Sequence, residues 1–173
     1  MRHSLLCFVF FCYSLDASPL AGQSHPTPES PRTNPALEQF KALAGEWEGK
    51  DSHGKTIHVS YEALGSGVVM ERFQLENESA MVTMYSLDGD HIVAIHFCSA
   101  GNQPILKTGP LSSGTGKYEF ALERAYGMKT PDELHMVGLL FNMPDKDHVS
   151  QTWTYIDHGK RSTSTVTISR KKD

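Results

Sequence analysis

The residue types with the most chemistry to offer fall close together near the middle of the chain. His96 and Cys98 stand two positions apart, followed by a short polar run, Ser99 to Gln103. On a β-strand, alternate residues share a face, so this spacing puts the imidazole and the thiol on one side with their Cα atoms about 7 Å apart. Ile92 and Ala94 precede them on that face, so a polar pair follows an apolar row. Asn102 and Gln103 would then carry their amides over the rim, Gly101 permits a tight backbone there, and Pro104 fixes the exit into the next strand. Three kinds of chemistry suit such a segment. It reads as a buried histidine and small thiol with amides bonded to their own loop, as the polar end of a mostly apolar ligand pocket, or, with His135, as a metal or haem site. Zinc accepts imidazole and thiolate, and a thiolate beside an imidazole can serve as a nucleophile.

The rest of the chain supplies little to extend the last of these. His135 sits in an alternating run (His135, Val137, Leu139, Phe141) where a lone histidine is usually hydrogen-bonded, and the other histidines form no second cluster. A haem site would want a proximal histidine near the C-terminal strand, and residues 162–170 (STSTVTISR) hold none. No Gly-x-Ser-x-Gly elbow, phosphate loop, His-Glu-x-x-His or dinucleotide fingerprint occurs. The net charge of -4 and the lack of a basic stripe exclude a phosphate backbone as partner.

The elements that must position the pair are strands. Ile57, Val59, Tyr61 and Ala63 alternate with His58, Ser60 and Glu62, and the same period of two returns in Val149, Gln151, Trp153 and Tyr155. Turn residues punctuate the chain at short intervals, as at Asp88-Gly89 and His158-Gly159. The pattern predicts about ten strands, near 46–51, 56–64, 68–76, 80–87, 91–98, 104–108, 117–123, 133–141, 148–156 and 162–170. One short helix precedes them, with Asn34 as N-cap, Pro35 at its first position, Leu37, Phe40 and Leu43 on one face and Gly45 as its stop. Connections this short join sequential neighbours, which favours an all-β, antiparallel up-and-down barrel over a sandwich with long crossings. A barrel of eight to ten strands commonly encloses one small ligand.

Ahead of this domain, Arg2 and the apolar run Leu5 to Leu15 read as an export signal over residues 1–24. The run is too short to span a bilayer as a helix, for which ~20 residues are needed, so no membrane insertion of the mature domain is expected. Residues 25–35 form a proline-rich tether, and 36–173 form the barrel domain. Secreted or periplasmic placement follows. Cys7 and Cys12 would leave with the signal, and Cys98 alone forms no internal disulfide.

Gly45-Glu46-Trp47-Glu48-Gly49 after a short helix is similar to the Gly-x-Trp opening of lipocalin-like (calycin) barrels, including nitrobindins. The run from Met81 to Asp90, its continuation from His96 to Pro104, and the later Trp153-Thr154-Tyr155 and His158-Gly159-Lys160 together resemble a mostly bacterial, often exported family of lipocalin-like barrels of unknown function. The resemblance covers roughly residues 36–170 and implies the fold, but no activity and no catalytic residue. The family pattern usually has Tyr at Phe97, Ala at Ser99 and a second histidine at Val137. In such barrels the first-strand tryptophan, here Trp47, packs across the closed end beneath the helix, with a basic residue of the last strand against its face; Arg170 is the candidate.

The expectation from all this is an exported barrel binding a small, largely apolar molecule, with no cofactor and no catalytic residue. Its candidate lining residues are Tyr61, Tyr85, His96, Cys98, Asn102, Gln103, His135 and Trp153. The alternatives are a metal-dependent protein or enzyme built on His96, Cys98 and His135, and an interaction module whose barrel is filled solid. A one-residue register error would reverse the faces of any strand.

Overall fold

The structure, a computed structural model, describes residues 34–65, 67–111 and 116–172. The export signal expected over 1–24, and the tether as far as residue 33, lie outside the described residues.

Helix α1 (Pro35–Lys41) opens the domain. Asn34 caps it as the sequence predicts: its backbone is extended and its side-chain oxygen accepts the Ala36 N–H at 2.9 Å, satisfying one of the donors that no turn of helix can reach. The buried face carries Leu37 and Phe40.

Ten strands follow: β1 (Gly45–Asp51), β2 (Thr56–Leu64), β3 (Val68–Leu75), β4 (Met81–Asp88), β5 (His91–Phe97), β6 (Gln103–Thr108), β7 (Lys117–Tyr126), β8 (His135–Asn142), β9 (His148–Asp157) and β10 (Lys160–Arg170). Each pairs antiparallel with its neighbours in sequence, and β10 returns to pair with β1, closing the barrel. Closure leaves no unpaired edge. The predicted all-β, up-and-down barrel of about ten strands after one short helix is therefore the observed fold.

Two irregularities move strand boundaries away from the sequence pattern. In β7 a bulge sets Leu106 opposite Leu122 but Ile105 opposite Arg124, leaving Glu123 as the extra residue, and pairing then runs on to Gln103 and Tyr126. The consecutive charges Glu123 and Arg124 break the period of two that marks a strand in sequence. In β8 a second bulge lies between Met136 and Gly138.

The lumen is filled unevenly. At the end where α1 sits, Phe40 enters the barrel and its ring lies 4.8 Å from Tyr85, 5.1 Å from Tyr118 and 4.9 Å from Phe141, centroid to centroid. Trp47 seals the same end. It is fully buried, donates its indole N–H to the Leu43 carbonyl at 2.8 Å, and is covered by the Arg170 guanidinium 4.4 Å from its ring. That guanidinium also donates to the carbonyls of Ala42 and Ala44, taking up oxygens that the end of α1 leaves without helical partners. Among the described residues no helix is long and apolar enough to cross a membrane.

Candidate functional site

The registers of β2 to β5 place four polar side chains in one lateral row. Tyr61 faces Glu71, Glu71 faces Thr83, and Thr83 faces His96. The rows on either side are apolar: Val69 faces Tyr85 and Tyr85 faces Ala94 toward the helix end, while Val59 faces Phe73 and Phe73 faces Met81 toward the other. Directly opposed residues have Cβ atoms ~4.5–5.5 Å apart, so the row forms a continuous polar band across otherwise apolar walls. All four members are buried.

Glu71 is the centre of this band. Its carboxylate accepts the Tyr85 hydroxyl at 2.6 Å and the Gln151 amide at 3.1 Å. Gln151, on the far wall, also donates to the Tyr61 oxygen at 2.8 Å and accepts the Trp153 indole N–H at 2.8 Å. Burial disfavours the charged carboxylate and pushes Glu71 up to about 7, against hydrogen bonds from Tyr85, Gln151 and Tyr61 that favour the charge. Burial also raises the Tyr61 and Tyr85 phenols well above their ordinary range, and the Glu71 charge adds to the effect in both.

His96 ends the row. Its Nδ1 lies 2.9 Å from the Thr83 hydroxyl, its ring is 5.3 Å from that of Trp153, and its Nε2 is buried without a partner. Burial alone carries the imidazole down to about 4, so it is neutral at physiological pH. An unpaired buried polar atom costs ~1–3 kcal/mol, which makes Nε2 a group waiting for a partner. His96 also belongs to the lining of a cavity of about 60 Å³, together with Glu71, Thr83, Trp153, Ser164 and Asp51 and apolar Phe73 and Val166. That is several times the ~10–15 Å³ that one water requires. Leu75, Met81, Met136 and Tyr155 continue the wall; each stands toward the strand ends away from α1. The cavity is thus a cup with an aromatic floor and a mouth bordered by flexible methionines, side chains that adapt readily to an occupant.

The other residues predicted from the sequence divide among three places. Trp153 shares the cavity wall with His96, whereas Tyr61 and Tyr85 stand behind Glu71 as its hydrogen-bonding support. Cys98 lies half-buried in the turn after β5, where its sulfur accepts from the Ala100 N–H, and it is absent from the cavity wall. It reaches the site indirectly: burial first and Cys98 second push the Tyr155 phenol up to about 12. Asn102 is buried and donates at 2.7 Å to the Leu134 carbonyl, tying the β5–β6 turn to the start of β8, while its Oδ1 has no partner. Gln103 bonds the Gly101 carbonyl.

His135 departs from its expected position. The alternation with Leu139 and Phe141 would bring it to the lumen, but the bulge between Met136 and Gly138 reverses the faces. Met136 opposite Tyr155 takes the inward place, and His135 pairs with Ile156 and bonds its Nδ1 to the Glu133 carbonyl. The three residues His96, Cys98 and His135 therefore do not converge. Among the described residues no group of three His, Cys, Asp or Glu side chains is placed to hold a metal ion.

Sequence reasoning missed Glu71, Thr83 and Gln151. The available signal was Val69-Glu71-Phe73, an acid in the inward phase of an apolar alternation. No family model matches the chain, and no curated protein matches it.

Proposed function

We propose that this protein binds a small, largely apolar molecule in the open half of its barrel, with the polar end of the guest held at His96. The observation that carries the reading is a mostly apolar cavity whose lining includes His96, a histidine with a buried and unpartnered Nε2. A polar atom kept dry and unpaired is an energetic deficit that a guest removes on entry. The aromatic floor fixes how deep the guest reaches, and Met81 and Met136 at the mouth accommodate the remainder of its chain. Residues 1–24 as an export signal would deliver such a binder outside the cytoplasm; N-terminal sequencing of the protein recovered from medium or periplasm checks this, with an intact Met1 counting against it.

The binding reading is tested by titrating the protein with 1-hexanol while following the Trp153 indole resonance by NMR. A saturable shift is expected in the wild type. Val166→Phe, which places a ring in the same space, should abolish it while the remaining spectrum stays that of a folded barrel. A wild-type indole signal that never moves, or a shift that survives in the Val166→Phe variant, would overturn the reading.

A further inference from the structure

The outer wall of the barrel is of two kinds. On β9, β10, β1 and β2 it carries hydroxyls and charges, as in the lateral row where Ser150 faces Thr167, Thr167 faces Lys50 and Lys50 faces Thr56. On β3 to β6 it is apolar. There Met70 faces Met84, Met84 faces Ile95 and Ile95 faces Ile105. Their chain neighbours Glu71, Tyr85, Ala94 and Leu106 are buried, so alternation along each strand turns these four side chains outward, where each is half-buried among the others. Phe97, 49% exposed, stands two residues beyond Ile95 on the same face and opposite Val82.

A barrel needs only its inner face apolar in order to fold. A sheet apolar on both faces is ordinarily covered on both, and a continuous outward apolar patch marks an interaction site. The ends of the row identify the cover. Glu62 faces Met70 at the β2 end and Arg124 faces Ile105 at the β7 end, and both are exposed. The row thus reads acid, four apolar residues, base. Strands in such barrels tilt by ~35–45°, so the row climbs the wall and keeps its two ends on one side of the molecule. A second copy of the row laid over the first in the antiparallel sense covers apolar with apolar and brings each Glu62 toward the Arg124 of the other copy. A two-fold axis between the two walls produces this arrangement. An anionic lipid surface would meet the Glu62 carboxylate along with the Arg124 guanidinium, so the charges suit a second copy better than a membrane.

We infer that this protein pairs with a second copy of itself through the outer faces of β3 to β6, with the two rows antiparallel. The cavity takes no part in the pairing, so the inference stands apart from the ligand-binding reading.

Sedimentation equilibrium of the full chain tests it. A monomer–dimer equilibrium is expected, with the dimer predominant by about 100 µM. Ile95→Glu sets a charge in the middle of the contact and should weaken it at least about tenfold; Met84→Lys serves the same purpose if Ile95→Glu loses the circular dichroism of the folded barrel. Glu62→Arg, at an exposed position, turns the flanking attraction into repulsion and should weaken the dimer about threefold, and adding Arg124→Glu should restore it. A wild-type chain that stays monomeric to about 1 mM overturns the inference, as does a dimer that survives Ile95→Glu or Met84→Lys. A Glu62→Arg variant that dimerises like the wild type overturns the antiparallel pairing. A wild-type monomer that instead floats with phosphatidylcholine vesicles overturns the second copy in favour of a lipid surface.

Discussion

Two titratable side chains separated by one threonine are drawn in opposite directions by the same burial. Glu71 has its pKa raised to about 7, so between the ordinary carboxylate value and 7 the native state holds a proton that the unfolded chain has lost, and stability falls as pH rises through that window. His96 has its pKa lowered to about 4, so from about 6.5 down to 4 the unfolded chain gains a proton that the native state refuses, and stability falls as pH drops. The two slopes offset each other across the mildly acidic range. Removing either group should expose the other. Glu71→Gln is expected to lose roughly 3 kcal/mol of unfolding free energy between pH 7 and pH 4, and His96→Gln to gain a similar amount on the same acidification. Urea denaturation at a series of pH values reads both, and curves parallel to that of the wild type would show that neither group titrates as described. The sequence exposed His96 because a histidine in an apolar row invites attention. It concealed Glu71, since an acid in a strand is ordinarily a solvated one. The difference lies in the partners: Gln151 is eighty residues away and Tyr85 fourteen, and no local pattern announces that they converge.

Among the elements, the strands were legible and their faces less so. Period-two alternation and turn residues located all ten strands to within a few positions, because each lies between an apolar core and solvent and each ends at a tight turn. A bulge adds one residue without any compositional mark, and at Val137 that residue determines whether His135 or Met136 faces the lumen. Deleting Val137 should remove the bulge and join Met136 directly to Gly138, which keeps Met136 inward and His135 on the outer face. The His135 ring resonances of that variant are expected to stay unmoved on titration with 1-hexanol, and a saturable shift in them would refute this account of the bulge. The first strand contains a different constraint. A Cβ built on Gly49 would lie 1.9 Å from the Thr167 carbonyl oxygen, a main-chain atom that cannot swing aside. Gly49→Ala must therefore part β1 from β10 and should destabilise the barrel by about 3 kcal/mol or more, measurable by thermal or chemical denaturation; a variant as stable as the wild type would contradict the register of that pair.

For the molecule as a whole, the division of the lumen into a packed half and a hollow half depends on α1. Phe40 is the side chain that α1 places among the floor aromatics, and its ring is nearest to Tyr85, which in turn holds Glu71. Phe40→Ala should cost about 3–5 kcal/mol and, where the variant remains folded, open the floor to a guest such as benzene, seen as saturable shifts of the surviving aromatic signals. A loss below 1 kcal/mol would show that the helix is merely appended to a self-sufficient barrel. Arg170 joins the same assembly from the other terminus of the domain, stacking on Trp47 and bonding the carbonyls at the end of α1.

The pairing of β1 with β10 has a kinetic consequence. Every other strand pair is a hairpin that closes a short stretch of chain, whereas Trp47 and Arg170 come together across more than a hundred intervening residues. The entropy of bringing such distant segments together falls on this one encounter, so the barrel should assemble as a curled ribbon of hairpins that zips shut last. Trp47 is the reporter of that final event. In a Trp153→Phe background its fluorescence should reach the native value only after the circular dichroism of the strands has already done so.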